Sequence, residues 1–514
     1  MEFQDGISKD RYLAIGRAVL IYALLFGVCL YKNASGILTI LIAAATVFLL
    51  GYCAKTTGYG ARAKEKKLYP YYIGILLLGI SMCCTADSLI ITVNYIGSIL
   101  LVLCALLRIY CEEKGWGLEK YAWSLVELIL SPLTYLVRPF QDYHEYRRSG
   151  ERKKSDTVKY IVIGVVVAIP FILVVLALLA SADAVFSSML DSVCAVIGYD
   201  VFTIVWRAIK FFLFVLFIFL YVYGVYVRIT SGLMDEPEKE GKGYVAVVGI
   251  TFTGLLTFIY LIFSGVQILY LFSNSLALPE GYTYSQYARE GFFQLLAVAA
   301  INLLIVLFCM RHFKKSRVLD IVLTMMSACT YIMLASSAVR MILYIKQYGL
   351  TYLRIEVLVG LLLIATIMAG VVVAIYRKSF PLAHYIILVV GVIWIMFSFS
   401  RPEYIIAKYN ISQYTVIGQD ADGTEILSVG YDDLQYLASL EGDAAPAIYE
   451  LAEDIAMEKI KLSCWSEKEV EDMYAFYFEG VHAWEEKPGI RSFNFSRYKA
   501  YKCGQKINTL YERK

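Results

Sequence analysis

The chain has 514 residues, of which 59% are hydrophobic and 18% charged, with a formal net charge of +3. Its mean hydropathy is +0.62. A soluble chain holds roughly 45–50% apolar and about 25% charged residues, so a water-soluble globular protein is excluded. The total charge says little about partners, and no nucleic-acid partner is expected.

A bilayer-spanning helix needs about 20 apolar residues. Eleven runs meet that need, near 12–31, 34–54, 69–86, 88–110, 157–180, 204–228, 245–272, 291–310, 318–345, 354–376 and 381–399. The first run is too long for a removable signal peptide and lacks a small-residue cleavage site, so it reads as a retained anchor. The first four runs pair as two tight hairpins. Between runs four and five, Trp123, Val126, Leu130, Leu133 and Val137 recur at helical spacing and Arg138 to Lys154 is basic. That is the pattern of an amphipathic helix on the inner leaflet, or of a surface helix packed on the spans. Pro170 interrupts the fifth run and predicts a kink.

Lys and Arg gather in alternate loops, at Lys55 to Lys67, Lys114 to Lys154, Arg228 to Lys242, Arg311 to Arg317 and Arg377 with Lys378. The positive-inside bias therefore predicts a cytoplasmic N-terminus and, after eleven crossings, an extracytoplasmic C-terminus; the expected location is the plasma (inner) membrane.

After Phe399 the chain becomes polar. QYTVIG and TEILSVG alternate as strands around Asp422-Gly423, a hairpin turn signal. A calcium loop there lacks its bidentate glutamate, because Val429 holds that position. Helices are expected over YDDLQYLASL, from Pro446 onward, and after a capping box of Ser466 with Glu469. The fold class is thus an all-α polytopic membrane protein of about 11 transmembrane helices, with a small, mostly helical extracytoplasmic C-terminal domain containing one β-hairpin. Its divisions are four N-terminal helices (1–110), a cytoplasmic amphipathic and basic segment (111–156), a seven-helix block (157–399) and the C-terminal domain (400–514). Within that domain Cys464 and Cys503 are a candidate disulfide pair.

Four histidines lie far apart, and neither a metal-ligand spacing nor a phosphate loop nor a nucleophile elbow is present. No catalytic residue, metal or cofactor is expected. Charges set in or near hydrocarbon are the remaining lead, because they are costly there. Asp183, Arg207, Lys210, Arg289, Arg340, Arg354 and Glu356 all map to the outer half of the membrane. They read either as snorkelling and structural pairs, or as an outward pocket for an anionic lipid or lipid-linked ligand, a task that suits arginine's fork of donors. In-span Asn94, Gln267 and Asn302 are expected to hydrogen-bond between helices.

SADAVF (181–186), VQILYLF (266–272), TYSQYAREGFFQL (283–295) and SSAVRMILYIKQYGLTYLR (336–354) resemble motifs of a bacterial multi-pass membrane family, domain of unknown function 4173, related to the one numbered 4153. YIIAKYN, DLQYLASLEGDAAPAI and RSFNFSRYKA in the tail resemble it too. The resemblance implies an integral membrane protein with an extracytoplasmic C-terminal region and brings no assigned reaction. Within the YGLT stretch, Gly349 is expected at a turn with positive φ. Three functions stay open: a non-enzymatic cell-envelope sensor, scaffold or assembly factor whose tail meets an envelope protein partner; a transporter or flippase of an anionic or lipid-linked substrate; and a membrane-embedded transferase using a lipid-phosphate donor, with Asp183 as base or metal ligand.

Overall fold

The computed structural model describes residues 9–113, 116–148, 164, 168, 171–172, 175–176, 178–189, 199–232, 243–272, 284–377, 379–420, 424–463, 465–482 and 489–511. Among the described residues, 10 helices are long and apolar enough to cross a membrane. They are α1 (Lys9–Leu30), α2 (Leu38–Thr56), α4 (Tyr69–Cys84), α5 (Ser88–Tyr110), α8 (Tyr199–Thr230), α9 (Ala246–Phe272), α10 (Tyr284–His312), α11 (Arg317–Tyr348), α12 (Tyr352–Tyr376) and α13 (Leu382–Phe399). The short α3 (Gly60–Ala63) lies between α2 and α4. The expected span at 157–180 falls largely outside the described residues.

Hydrocarbon offers no hydrogen bonds, so each apolar run closes its backbone bonds internally as a helix. One group packs α1 on α2 and α8, α2 on α4, and α4 on α5. A second packs α9 and α10 on α11, and α11 on α12. α13 lies against both α4 and α12 and so joins the groups.

Polar side chains pin these contacts, as expected for Asn94, Gln267 and Asn302. Asn94 donates to Ser398 Oγ (2.9 Å) and Ser81 Oγ (3.2 Å), and Trp394 donates to its Oδ1 (2.8 Å). Asn302 donates to Thr330 (3.0 Å), and Gln267 accepts from Ser336 (2.6 Å).

The segment after α5 forms α6 (Leu118–Leu130) and α7 (Arg138–Arg148) around a 3-10 turn at Ser131–Tyr135. α6 buries Tyr121, Ser124 and Leu128. Trp123 and Val137 are 70% and 62% exposed, and Val126, Leu130 and Leu133 are exposed with them. The apolar stripe thus faces away from the spans, the orientation of an interfacial helix.

Turn chemistry sets the helix ends that matter for the site. Asp87 Oδ1 accepts from the amides of Leu89 (2.9 Å) and Ile90 (3.0 Å) and caps α5. Gly349 ends α11 at φ 75°, as expected. Asn410 clamps the turn beyond it, accepting from Leu350 N (2.7 Å) and donating to Leu350 O (2.9 Å). A Cβ on Gly349 lies 2.9 Å from Asn410 Oδ1. Gly349→Ala therefore combines an unfavourable φ with a lost clamp and is expected to cost about 1–3 kcal/mol. Thermal unfolding of the purified protein checks this, and an unchanged melting temperature contradicts it.

The tail adds α14 (Pro402–Ser412), β1 (Thr415–Gln419), β2 (Glu425–Ser428), α15 (Tyr431–Ala438), α16 (Ala445–Ala456), β3 (Ile460–Leu462), α17 (Glu467–His482) and α18 (Phe495–Tyr511). β1 and β2 form the expected hairpin, pairing Thr415 with Ser428 and Gln419 with Glu425 across a bulge between Val416 and Gly418. β3, which the sequence pattern did not predict, adds in parallel on β2. The capping box holds: Ser466 donates from N (2.9 Å) and Oγ (2.7 Å) to Glu469 Oε2. These bonds lower the carboxyl pKa of Glu469. The domain core, including Leu434, Ile448, Tyr474 and Ile507, is continuous with Phe292, Met341, Leu350 and Val357 of the span ends.

Candidate functional site

The span ends facing the C-terminal domain define the tail side of the molecule. Asp183, Lys210, Arg340 and Arg354, picked from the sequence, each have a contact of their own. Asp183 is exposed, and its Oδ1 accepts from Val185 N (2.7 Å), capping its own turn. Arg207 and Lys210 are exposed on α8, and the Lys210 ammonium sits 4.9 Å from the Trp206 ring centroid. Arg289 belongs to α10 by its backbone, and its side chain lies outside the described residues. Arg340 reaches from α11 to Gln267 Oε1 on α9 (3.4 Å), its guanidinium filling the space where Gly291 of α10 has no side chain. Arg354 donates to the carbonyls of Tyr348 (2.7 Å) and Gly349 and stacks 4.3 Å from the Tyr344 centroid, which locks the α11–α12 turn. Glu356 is half-buried one turn into α12. Cys464 of the candidate disulfide lies outside the described residues, and Cys503 is half-buried against the domain core.

A different set of side chains converges where the domain meets the α4–α5 loop. Asp443, in the turn before α16, is fully buried, Asp87 is 2% exposed and Glu403, in the first turn of α14, is 5% exposed. Asp443 accepts from Thr85 Oγ1 (2.5 Å), Ala86 N (2.9 Å) and Ser496 Oγ. Glu441 accepts from Ser88 through N (2.9 Å) and Oγ (2.5 Å). The Glu441 amide donates to Glu403 Oε1 (3.0 Å), and Tyr477 donates to the Glu441 carbonyl (3.0 Å). Asn494 donates to the carbonyls of Thr85 (2.8 Å) and Met82 (3.2 Å), while its Oδ1 caps α18 by accepting from Ser496 N (2.9 Å). One link further along, Ile37 N donates to Phe493 O (2.8 Å), Asn33 of the α1–α2 turn donates to Arg491 O (3.0 Å), and the Arg491 guanidinium donates to Tyr31 O.

Four carboxylates thus meet at one junction, and they are not equivalent. Asp443 has a donor for each oxygen. Glu403 Oε2 is buried without a hydrogen-bond partner among the described residues, and the Asp87 carboxyl has the Tyr352 hydroxyl beside it. Burial, with repulsion from Asp87, Asp443 and Glu441, pushes the Glu403 carboxyl up to about 8, against the opposing pull of the Glu441 amide. Burial likewise raises the Asp87 carboxyl from its ordinary value. Protonation of Glu403 removes one charge from this cluster of four carboxylates. Among the described residues, these side chains do not form a group placed to hold a metal ion.

Sequence reasoning overlooked Thr85, Asp87, Glu403, Glu441, Asp443 and Asn494. A signal for them existed: Glu441 and Asp443 lie in DLQYLASLEGDAAPAI, and Asn494 and Ser496 in RSFNFSRYKA, both read above as family motifs. No curated protein and no solved structure matches the chain. The family model described as "Domain of unknown function (DUF4153)" matches residues 72–451, from α4 into α16, and so takes in the four junction carboxylates but not α1 and α2. That match extends over more than half of the chain, and the protein belongs to this family.

Proposed function

We propose that the protein is a non-enzymatic sensor or scaffold of the bacterial cell envelope, set in the inner membrane with its C-terminal domain outside the cell. The quoted motifs support a place near the branch numbered 4173. The observation that carries the reading is the buried carboxylate junction, which joins a folded domain to the membrane block through groups whose charge depends on pH. Such a junction is a two-state element that external conditions can bias. A partner protein in the envelope would meet the domain at β1, an edge strand exposed along its whole length.

The orientation rests on the cationic loops opposite the tail side. A cysteine introduced in the domain is expected to react with a membrane-impermeant reagent on intact cells, and its protection overturns that orientation. The sensor reading predicts that exchange of the Ala86, Ser88 and Glu441 amides quickens from pH 5 to pH 9 while exchange in the spans keeps only its intrinsic pH dependence. Equal behaviour at both places sinks it.

The transporter reading has one specific support, the Gln267–Ser336–Arg340 cluster inside the α9–α11 bundle. Native mass spectrometry of the purified protein decides between the two. A co-purified anionic ligand that disappears in Arg340→Ala favours transport, and its absence favours the scaffold. The transferase reading draws least support, because Asp183 is exposed and engaged in capping.

A further inference from the structure

Arg401 stands between the end of α13 and the start of α14, in the left-handed conformation at φ 55° and ψ 64°. A residue with a β-carbon adopts that region only where its surroundings hold it there. Its Nε and Nη2 are both buried and without a hydrogen-bond partner among the described residues. The guanidinium carbon lies 5.6 Å from the Tyr404 ring centroid, a cation–π contact that leaves the in-plane donors open. The residue is half-buried, so part of the guanidinium stays accessible while two of its nitrogens lack an acceptor, which is unfavourable, and its planar fork matches a phosphate or carboxylate.

A second cation lies on α18, the helix that packs on α4 and whose cap, Asn494, bonds to the carbonyls of Met82 and Thr85. Lys499, exposed on α18, and Arg401 both lie within electrostatic range of Cys84, the last residue of α4. Asp443 acts on Cys84 as well, but its oxygens are already occupied by Thr85, Ala86 and Ser496.

The level of the site in the membrane is given by the spans. α4 ends at Cys84 and α13 at Phe399, so Arg401 and Lys499 sit where the helices leave hydrocarbon. Phe399, Phe495 and Tyr498 expose aromatic surface beside them, as residues at a membrane–water boundary do. That is the depth of lipid phosphates, and cations placed there attract anionic headgroups.

We propose that Arg401 and Lys499 form a phosphate-binding notch on the tail side, at the seam between α4, α13 and α18. The ligand is a phosphate group, carried by an anionic phospholipid or present as the free ion. The site uses other residues than the carboxylate junction and stands whether or not that junction senses pH.

The test is the melting temperature of the delipidated full-length protein in a neutral detergent. The probes are dihexanoyl phosphatidylglycerol, inorganic phosphate, and dihexanoylglycerol as a phosphate-free control, at matched ionic strength. A rise with phosphatidylglycerol alone identifies a lipid headgroup, and a rise with both phosphate-bearing probes identifies the free ion. In either case the apparent affinity should fall at least tenfold in Arg401→Gln and in Lys499→Gln. Lys499 is exposed, so its variant tests the site without a question of folding. The proposal is overturned if neither phosphate probe exceeds the control, or if Lys499→Gln binds as tightly as the unaltered protein.

Discussion

Asp443→Ala is expected to release the C-terminal domain from the α4–α5 loop while leaving the spans folded. The carboxylate takes hydrogen bonds from Thr85, Ala86 and Ser496 in a site with no solvent exposure. Alanine removes all three acceptor contacts at once and leaves two hydroxyls and one amide buried. Each orphaned donor costs about 1–3 kcal/mol unless water enters to replace the acceptor. Rotation of the two hydroxyls recovers part of this, so a loss of about 3 kcal/mol is expected. Because Asp443 holds Ala86 directly, the loss should appear first as faster hydrogen exchange at Ala86 and at Glu441. Asp443→Asn keeps one oxygen acceptor and the shape of the side chain, and should lose less. If Asp443→Ala exchanges and melts like the unaltered protein, the junction is not what holds the domain.

The spans were legible because the bilayer sets both the length and the polarity of a helix that crosses it, and both are local properties of the sequence. The same locality made the Ser466–Glu469 box and the turn at Gly349 readable, since each depends on residues within a few positions. β3 escaped because Ile460–Leu462 is only 3 residues long and pairs in parallel with a strand more than thirty residues earlier. The junction escaped for a stronger version of that reason. Thr85 and Asp443 are 358 residues apart, and Glu403 alone looks like an ordinary acid in the first turn of a helix, where the dipole favours it. Burial turns it into a titrating group, and burial is a property of the assembled fold.

The sequence-derived charged set illustrates the opposite error. Those residues were chosen because charge in hydrocarbon is costly, which finds costly positions but not their purpose. Arg354 proves to tie down a helix C-terminus, a role that its neighbours Tyr348 and Gly349 reveal only in three dimensions. Arg401, two residues past a span, escaped the same test because it counted as a loop residue.

Glu403 fixes the direction of a pH effect. Its folded-state pKa of about 8 exceeds the unfolded value near 4.5, so between those values the folded protein holds a proton that the unfolded chain has lost. Stability therefore falls as pH rises through that window and levels off above it. Asp87 is raised too and acts in the same direction. Glu469, whose pKa is lowered, has the opposite sign, but it is exposed and titrates below the window. The groups facing Glu403 are Asp87 on α5, Glu441 and Asp443 in the turn before α16, and the hydroxyls of Tyr352, Tyr436 and Tyr477. None of these supplies a positive charge to offset its ionisation, and Arg401, which adjoins it in the chain, has its guanidinium by the Tyr404 ring. At about 1.4 kcal/mol per pKa unit, the window amounts to a few kcal/mol at most. Glu403→Gln stays neutral at every pH, so its melting temperature should resemble that of the unaltered protein at pH 5 and should change little up to pH 9. The unaltered protein should lose stability over the same range, with opening at Ala86 and Glu441 leading the loss. Equal pH slopes in the two proteins would show that Glu403 is not the group that titrates.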